Sequence, residues 1–158
     1  MTLELILAPG VDDGVAVPAA LRRRLVTEVG RMVKAAARTD GQPDFEVALR
    51  LTTDAEIKAL NRDYRAKNKP TDVLAFAQRE GPGGGLHPRL LGDIVISVET
   101  ARRQAKRGLA AELLHLASHG LCHLLGYDHN DDAEERVMNA RASALRREGA
   151  KRGRVNAA

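Results

Sequence analysis

The sequence predicts an α+β fold: a small mixed four-stranded sheet covered by helices, with a cluster of histidines on a helix in the C-terminal half. Three observations carry that prediction. Segments of alternating or apolar strand pattern alternate with helical periodicity in the first two thirds of the chain, and helical periodicity alone dominates the last third. The length of 158 residues suits one domain. The 44% hydrophobic and 29% charged residues are the balance of a globular protein able to bury a core.

The elements follow in order. Thr2 to Ala8 sets Leu3, Leu5 and Leu7 against Thr2, Glu4 and Ile6, the period-two pattern of a first strand. Pro9, Gly10, Asp12, Asp13 and Gly14 make a loop. From Pro18 to about Ala37, Leu21, Leu25, Val29, Met32 and Val33 recur at helical spacing, leaving Arg22, Arg23, Arg24 and Arg31 for a solvated face. Phe45 to Leu51 is a second strand. Thr53-Asp54-Ala55-Glu56 opens a helix to about Tyr64 as a capping box, Thr53 reaching the Glu56 amide and Glu56 reaching back. Val73–Ala77 and Gly92–Val98 are the third and fourth strands, with Asp72 and Asp93 as turn and strand-end residues. Gln78 to Leu90, with four glycines and two prolines, is a loop within the domain. Helices follow at about Glu99–Arg107, Leu109–Leu125 and Asp131–Glu148. The domain spans 1–158, with about 149–158 a basic, frayed tail containing Lys151, Arg152 and Arg154.

Composition restricts function. No run of about 18 apolar residues is present, so membrane insertion is not expected. The N-terminus lacks the pattern of a secretory signal, and the single cysteine, Cys122, has no internal disulfide partner; a cytoplasmic location follows as the expectation. A net charge of +4, carried mostly by arginine, favours an anionic partner, because a guanidinium grips phosphate through two donors. Two Phe, two Tyr and no Trp give little for stacking bases, so nucleic-acid contact should fall chiefly on the backbone.

The chemistry lies in His119-Gly-Leu-Cys-His123-Leu-Leu-Gly-Tyr-Asp-His129. His119 and His123 are four apart on a helix and share a face. Gly126 suits the left-handed position that ends a helix, which lets His129 return to the same point. Three imidazoles suit one zinc ion and leave a fourth position for water, the arrangement of a catalytic site. His115, one turn earlier, is read as orienting or packed; His87, in the glycine-rich loop, as solvated; Cys122, about 100° off the histidine face, as core. The spacing is shared with metzincin proteases, but the position of their general base is Gly120 here, so a peptidase would lack its base.

These residues resemble the YbeY family of endoribonucleases. The resemblance rests on the histidine motif, on LNRDYRAKNKPTDVLAFA from Leu60 to Ala77 and on LGDIVIS from Leu91 to Ser97, in that order. It implies zinc on His119, His123 and His129, hydrolysis of single-stranded RNA, and work on ribosomal RNA and the small ribosomal subunit, including the 3′ end of its RNA and ribosome quality control. It also implies a functional arginine at Arg65. Ala75 and Ala77 depart from the family's usual serine and proline. The residues agree on Arg65: a fixed guanidinium can offset charge on a phosphodiester undergoing cleavage. Lys67 and Lys69 fit equally as phosphate contacts or solvated charges, and Asp128 and Tyr127 as orienting groups or, for Asp128, as the cap of the next helix. Attack by water and by the RNA 2′-hydroxyl both remain open. The other functions compatible with the pattern are a ribosome-associated binding factor stabilised by zinc and a metallopeptidase-like hydrolase.

Overall fold

The computed structural model describes residues 3–11, 17–78 and 89–151. Most of the glycine-rich segment with His87, and the tail beyond Lys151, lie outside them. The described residues form β1 (Leu3–Leu7), α1 (Ala19–Thr39), β2 (Glu46–Thr52), α2 (Asp54–Arg65), β3 (Val73–Ala77), β4 (Leu90–Ser97), α3 (Val98–Gln104), α4 (Leu109–Leu124) and α5 (Asp132–Ala150). The sheet order is β1-β2-β4-β3, with β1, β2 and β4 parallel and β3 antiparallel at the edge. The α+β architecture with a mixed four-stranded sheet is thus the one expected.

Strand register explains which face is buried. Leu5, Leu49, Ile94 and Ala75 stand in one row across the four strands, and Leu7, Leu51, Ile96 and Val73 in the next. Because side chains alternate along a strand, these rows share a face. That face joins Leu25, Val29, Met32 and Val33 of α1 and Leu113, Ala117 and Leu121 of α4 in the main core. Helix α5 lies outside, against α1 and α4. The opposite face carries Leu74, Val95 and Phe76, which pack with Ile57 and Leu60 of α2. Removing a large side chain from the main core, such as Leu49 or Leu121, costs about 2–5 kcal/mol.

Local interactions differ from expectation at three places. Thr53 caps α2 as expected, its Oγ1 accepting the Glu56 amide at 3.4 Å. The Glu56 carboxylate instead takes two guanidinium bonds from Arg50, at 2.6 and 2.9 Å, and the Thr52 hydroxyl at 2.8 Å. A charged, forked donor on the adjacent strand outcompetes a neutral backbone amide. Helix α3 stops at Gln104 rather than about Arg107, because Ala105 is extended and Gly108 takes φ 96°, which turns the chain into α4. Asp93 lies inside β4 rather than at its end, and burial raises its carboxyl above the usual range.

The loop before β4 is joined to it by a bulge. Glu46 pairs with Leu90 while Val47 pairs with Gly92, so Leu91 is the extra residue. Gly92 has φ 138°, and a Cβ there would meet the Phe76 carbonyl oxygen at 2.0 Å. Both the dihedral and the close backbone of β3 demand glycine. Gly92→Ala is therefore expected to destabilise the fold by about 3 kcal/mol or more, read as a fall in the urea midpoint; an unchanged midpoint would show that the bulge tolerates a side chain.

Candidate metal centre

Helix α4 holds the centre because its apolar residues seat it on the sheet. Leu113, Ala117, Gly120 and Leu121 are buried, while His115 is exposed and His119 and His123 are half-buried. At Gly120 the approach is closest: a Cβ would stand 2.7 Å from Ile94 Cγ2. A glutamate at that position would require the Ile94 side chain to shift, so packing as well as chemistry disfavours the protease base here.

The helix ends as Gly126 suggested. Gly126 takes φ 101°, its amide donates to the His123 carbonyl at 3.0 Å, and the Tyr127 amide donates to the Cys122 carbonyl at 3.0 Å. These two bonds are the Schellman arrangement. The returning chain is fixed by Asp128, whose carboxylate accepts the His129 amide at 2.8 Å and Asn130 Nδ2 at 2.9 Å. The cap of α5 is Asp131, which accepts the Glu134 amide at 2.7 Å. Asp128 is thus free of the capping task and stands beside the imidazoles.

His123, Asp128 and His129 each present a ligand atom within 4.8 Å of the others. The His123 and His129 rings lie 5.1 Å apart, centroid to centroid. This two-nitrogen, one-carboxylate donor set can hold a metal ion. His119 falls outside that set; its ring rests 4.3 Å from the ring of His115. It lines the same cavity of about 770 Å³, together with His123, Asp128, His129 and Arg65. Of the three expected histidines the structure gathers two, adds Asp128, and leaves the third one turn away on the wall.

Burial favours the neutral form of His119 and His123, the form that ligates metals. Burial, then the neighbouring His115 and Arg146, push His119 down to about 4. Burial and the adjacent His129 also lower His123, against an opposing hydrogen bond to the Tyr127 backbone. Cys122 is fully buried and its thiol is pushed up to about 11 by burial, as befits packing rather than ligation.

The opposite wall is built by α2 and the turn after it. Arg65, the last residue of α2, is exposed, and its Nη2 donates to the Ala75 carbonyl at 3.0 Å, which ties the guanidinium to β3. Ala66 follows at φ 57°, and buried Asn61 donates Nδ2 to the Lys69 carbonyl at 2.9 Å. Lys67 and Lys69 consequently line the cavity as well. Asn61 carries no charge and no ligating pattern, so only its burial beneath this turn shows its role. Asp72 also lines the cavity, accepting the Val73 amide at 2.7 Å and Gln104 Nε2 at 3.0 Å, as a turn residue should.

The profile of the endoribonuclease YbeY family matches residues 16–148. The chain belongs to that family. It is 48% identical to the endoribonuclease YbeY of Syntrophotalea carbinolica over 108 residues, covering 65% of this chain and 72% of that protein. It is 47% identical to the endoribonuclease YbeY of Moorella thermoacetica over 134 residues, 77% of this chain and 84% of that protein. Its fold is similar to the solution structure of TM1509 from Thermotoga maritima, with a TM-score of 0.53, 25% identity, and coverage of 93% of this chain and 88% of that one. In this YbeY family member His119, His123, His129 and Arg65 line one cavity.

The depressed His119 and His123 predict a pH response of metal-free protein. An unfolded histidine takes up its proton near 6.5, whereas folded His119 resists until about 4. Stability is therefore fully present above about pH 6.5 and lost as pH falls toward 4. In chelator-treated protein the urea midpoint should fall between pH 7 and pH 4.5, and less steeply in His119→Gln; identical slopes for the two proteins would contradict the assignment.

Proposed function

We propose that this protein is a zinc-dependent, single-strand-specific endoribonuclease of the cytoplasm, acting on ribosomal RNA at the small subunit, including the 3′ end of its RNA, and in ribosome quality control. The observation that carries the reading is the meeting of His119, His123, His129 and the Arg65 guanidinium across one cavity, in a chain of the YbeY family. His119, His123 and His129 are the residues assigned to one zinc ion. When bound, zinc supplies a Lewis acid at the scissile phosphodiester.

The chain's own residues supply the rest. Arg65 spends one donor on Ala75 and keeps its other N–H groups for nonbridging phosphate oxygens, where charge grows during cleavage. Lys67 and Lys69 extend that cationic wall for flanking phosphates. The Schellman turn and the Asp128 bonds hold the His129 loop, and the Tyr127 backbone fixes the His123 ring. A role for zinc as mere scaffold is disfavoured by its place: Asp128 and His129 are exposed, at the rim of a core that closes without them.

Metal content is the first test. Purified protein should carry about one zinc per chain, His119→Ala and His123→Ala should lose it, and Asp128→Asn should keep it; retention by His119→Ala with loss from Asp128→Asn would replace the third ligand. In cleavage of single-stranded RNA, Arg65→Ala should fall by about 10²-fold with an unchanged melting curve, and His123→Ala should lose cleavage while remaining folded. A wild-type protein that melts only with zinc removed and cleaves no RNA would instead support the scaffold reading. Products ending in a 2′,3′-cyclic phosphate would identify the 2′-hydroxyl as nucleophile, and their absence would identify water.

A further inference from the structure

A second groove, of about 680 Å³, lies behind the metal cavity, between α1, the turn from α3 to α4, and α5. His115 lines both spaces, so they adjoin at that residue. The groove's cations are Arg24, Lys106, Arg107 and Arg146. Its two carboxylates are already engaged, Glu28 by Arg24 and Glu112 by Gln104 Nε2 at 2.8 Å.

Arg146 is the groove's inner cation. It is half-buried on α5, and its Nη1 donates at 2.7 Å to the Ser118 hydroxyl, which in turn donates to the His115 carbonyl at 2.7 Å. No carboxylate pairs with it among the described residues, and burial lowers its guanidinium from the usual value. A desolvated cation held without a counter-ion favours an anion from outside. Lys106 and Arg107 stand exposed in the bend between α3 and α4, likewise without a carboxylate among the described residues. The bend that shortens α3 is what brings them there.

We propose that this groove is a second phosphate subsite, in which Arg146, Lys106 and Arg107 take the backbone of the same single RNA strand after it leaves the metal cavity across His115. This rests on the RNA-cleaving function proposed above. Arginine and lysine without interleaved aromatics select phosphate rather than bases, so the subsite adds affinity and length dependence without sequence preference.

Initial cleavage rates on RNAs of about four and about twelve nucleotides give the test, the shorter filling the cavity and the longer reaching the groove. For Lys106→Ala/Arg107→Ala, the ratio of long-RNA to short-RNA KM should rise about tenfold over wild type. The slope of log KM against log salt for the long RNA should fall by about 1.4, two phosphate contacts at roughly 0.7 each. Arg146→Gln should move the ratio in the same direction, with far-UV spectra and melting curves checking both folds. A wild-type ratio in Lys106→Ala/Arg107→Ala, or an equal loss on both lengths, overturns the subsite while leaving the function intact. No cleavage of either RNA by zinc-loaded wild type overturns the function, and the subsite with it.

Discussion

The seating of α4 on β4 is the constraint on which the rest depends. Gly120 lets the helix approach Ile94 so closely that no side chain fits between them. That contact fixes the axial position of α4, and with it the heights of His119 and His123 above the sheet. The Schellman turn at Gly126 then returns the chain within three residues, so His129 meets His123 without a long loop whose ordering would cost entropy. A larger residue at position 120 would press on Ile94 and shift the α4 histidines relative to the sheet.

The opposing wall depends on a different set of forces. The Asp54 carboxylate accepts the Ser97 and Thr100 hydroxyls, each at 2.6 Å, and pairs with Arg103 at 2.8 Å. This network locks the start of α2 to the junction of β4 and α3. Glu99 adds a bond to the Asp54 amide at 2.7 Å. At the far end of α2, Asn61 and the Ala75 carbonyl hold the Arg65 turn. The arginine is thus an exposed group whose guanidinium is tied to β3 by the fold.

Charge completes the division of labour. Burial disfavours the charged form of His119 and His123, while Arg65, Lys67 and Lys69 line the cavity as its cations. The half-buried imidazoles and the cationic edge of the cavity are therefore separate sets of residues. The same separation explains how half-buried Arg146 can lower His119 while pointing its own bond at Ser118.

Much of this was legible in the chain alone because local rules act over short distances. The alternation of Leu3, Leu5 and Leu7, the stop at Gly126 and the Thr53 cap all depend on neighbours within a few residues, and each stands as the pattern required; the spacing of His119 and His123 put both on α4, but His119 lies outside the set that could hold a metal. What only the tertiary structure decided involves partners distant in sequence. Glu56 turned to Arg50 rather than its own helix start, Ala105 broke α3 early, Asp128 joined the imidazoles, and Asn61 lay buried beneath the Arg65 turn. A side chain with several possible partners goes to whichever desolvated, charged group the fold brings nearest, and one-dimensional spacing does not contain that distance.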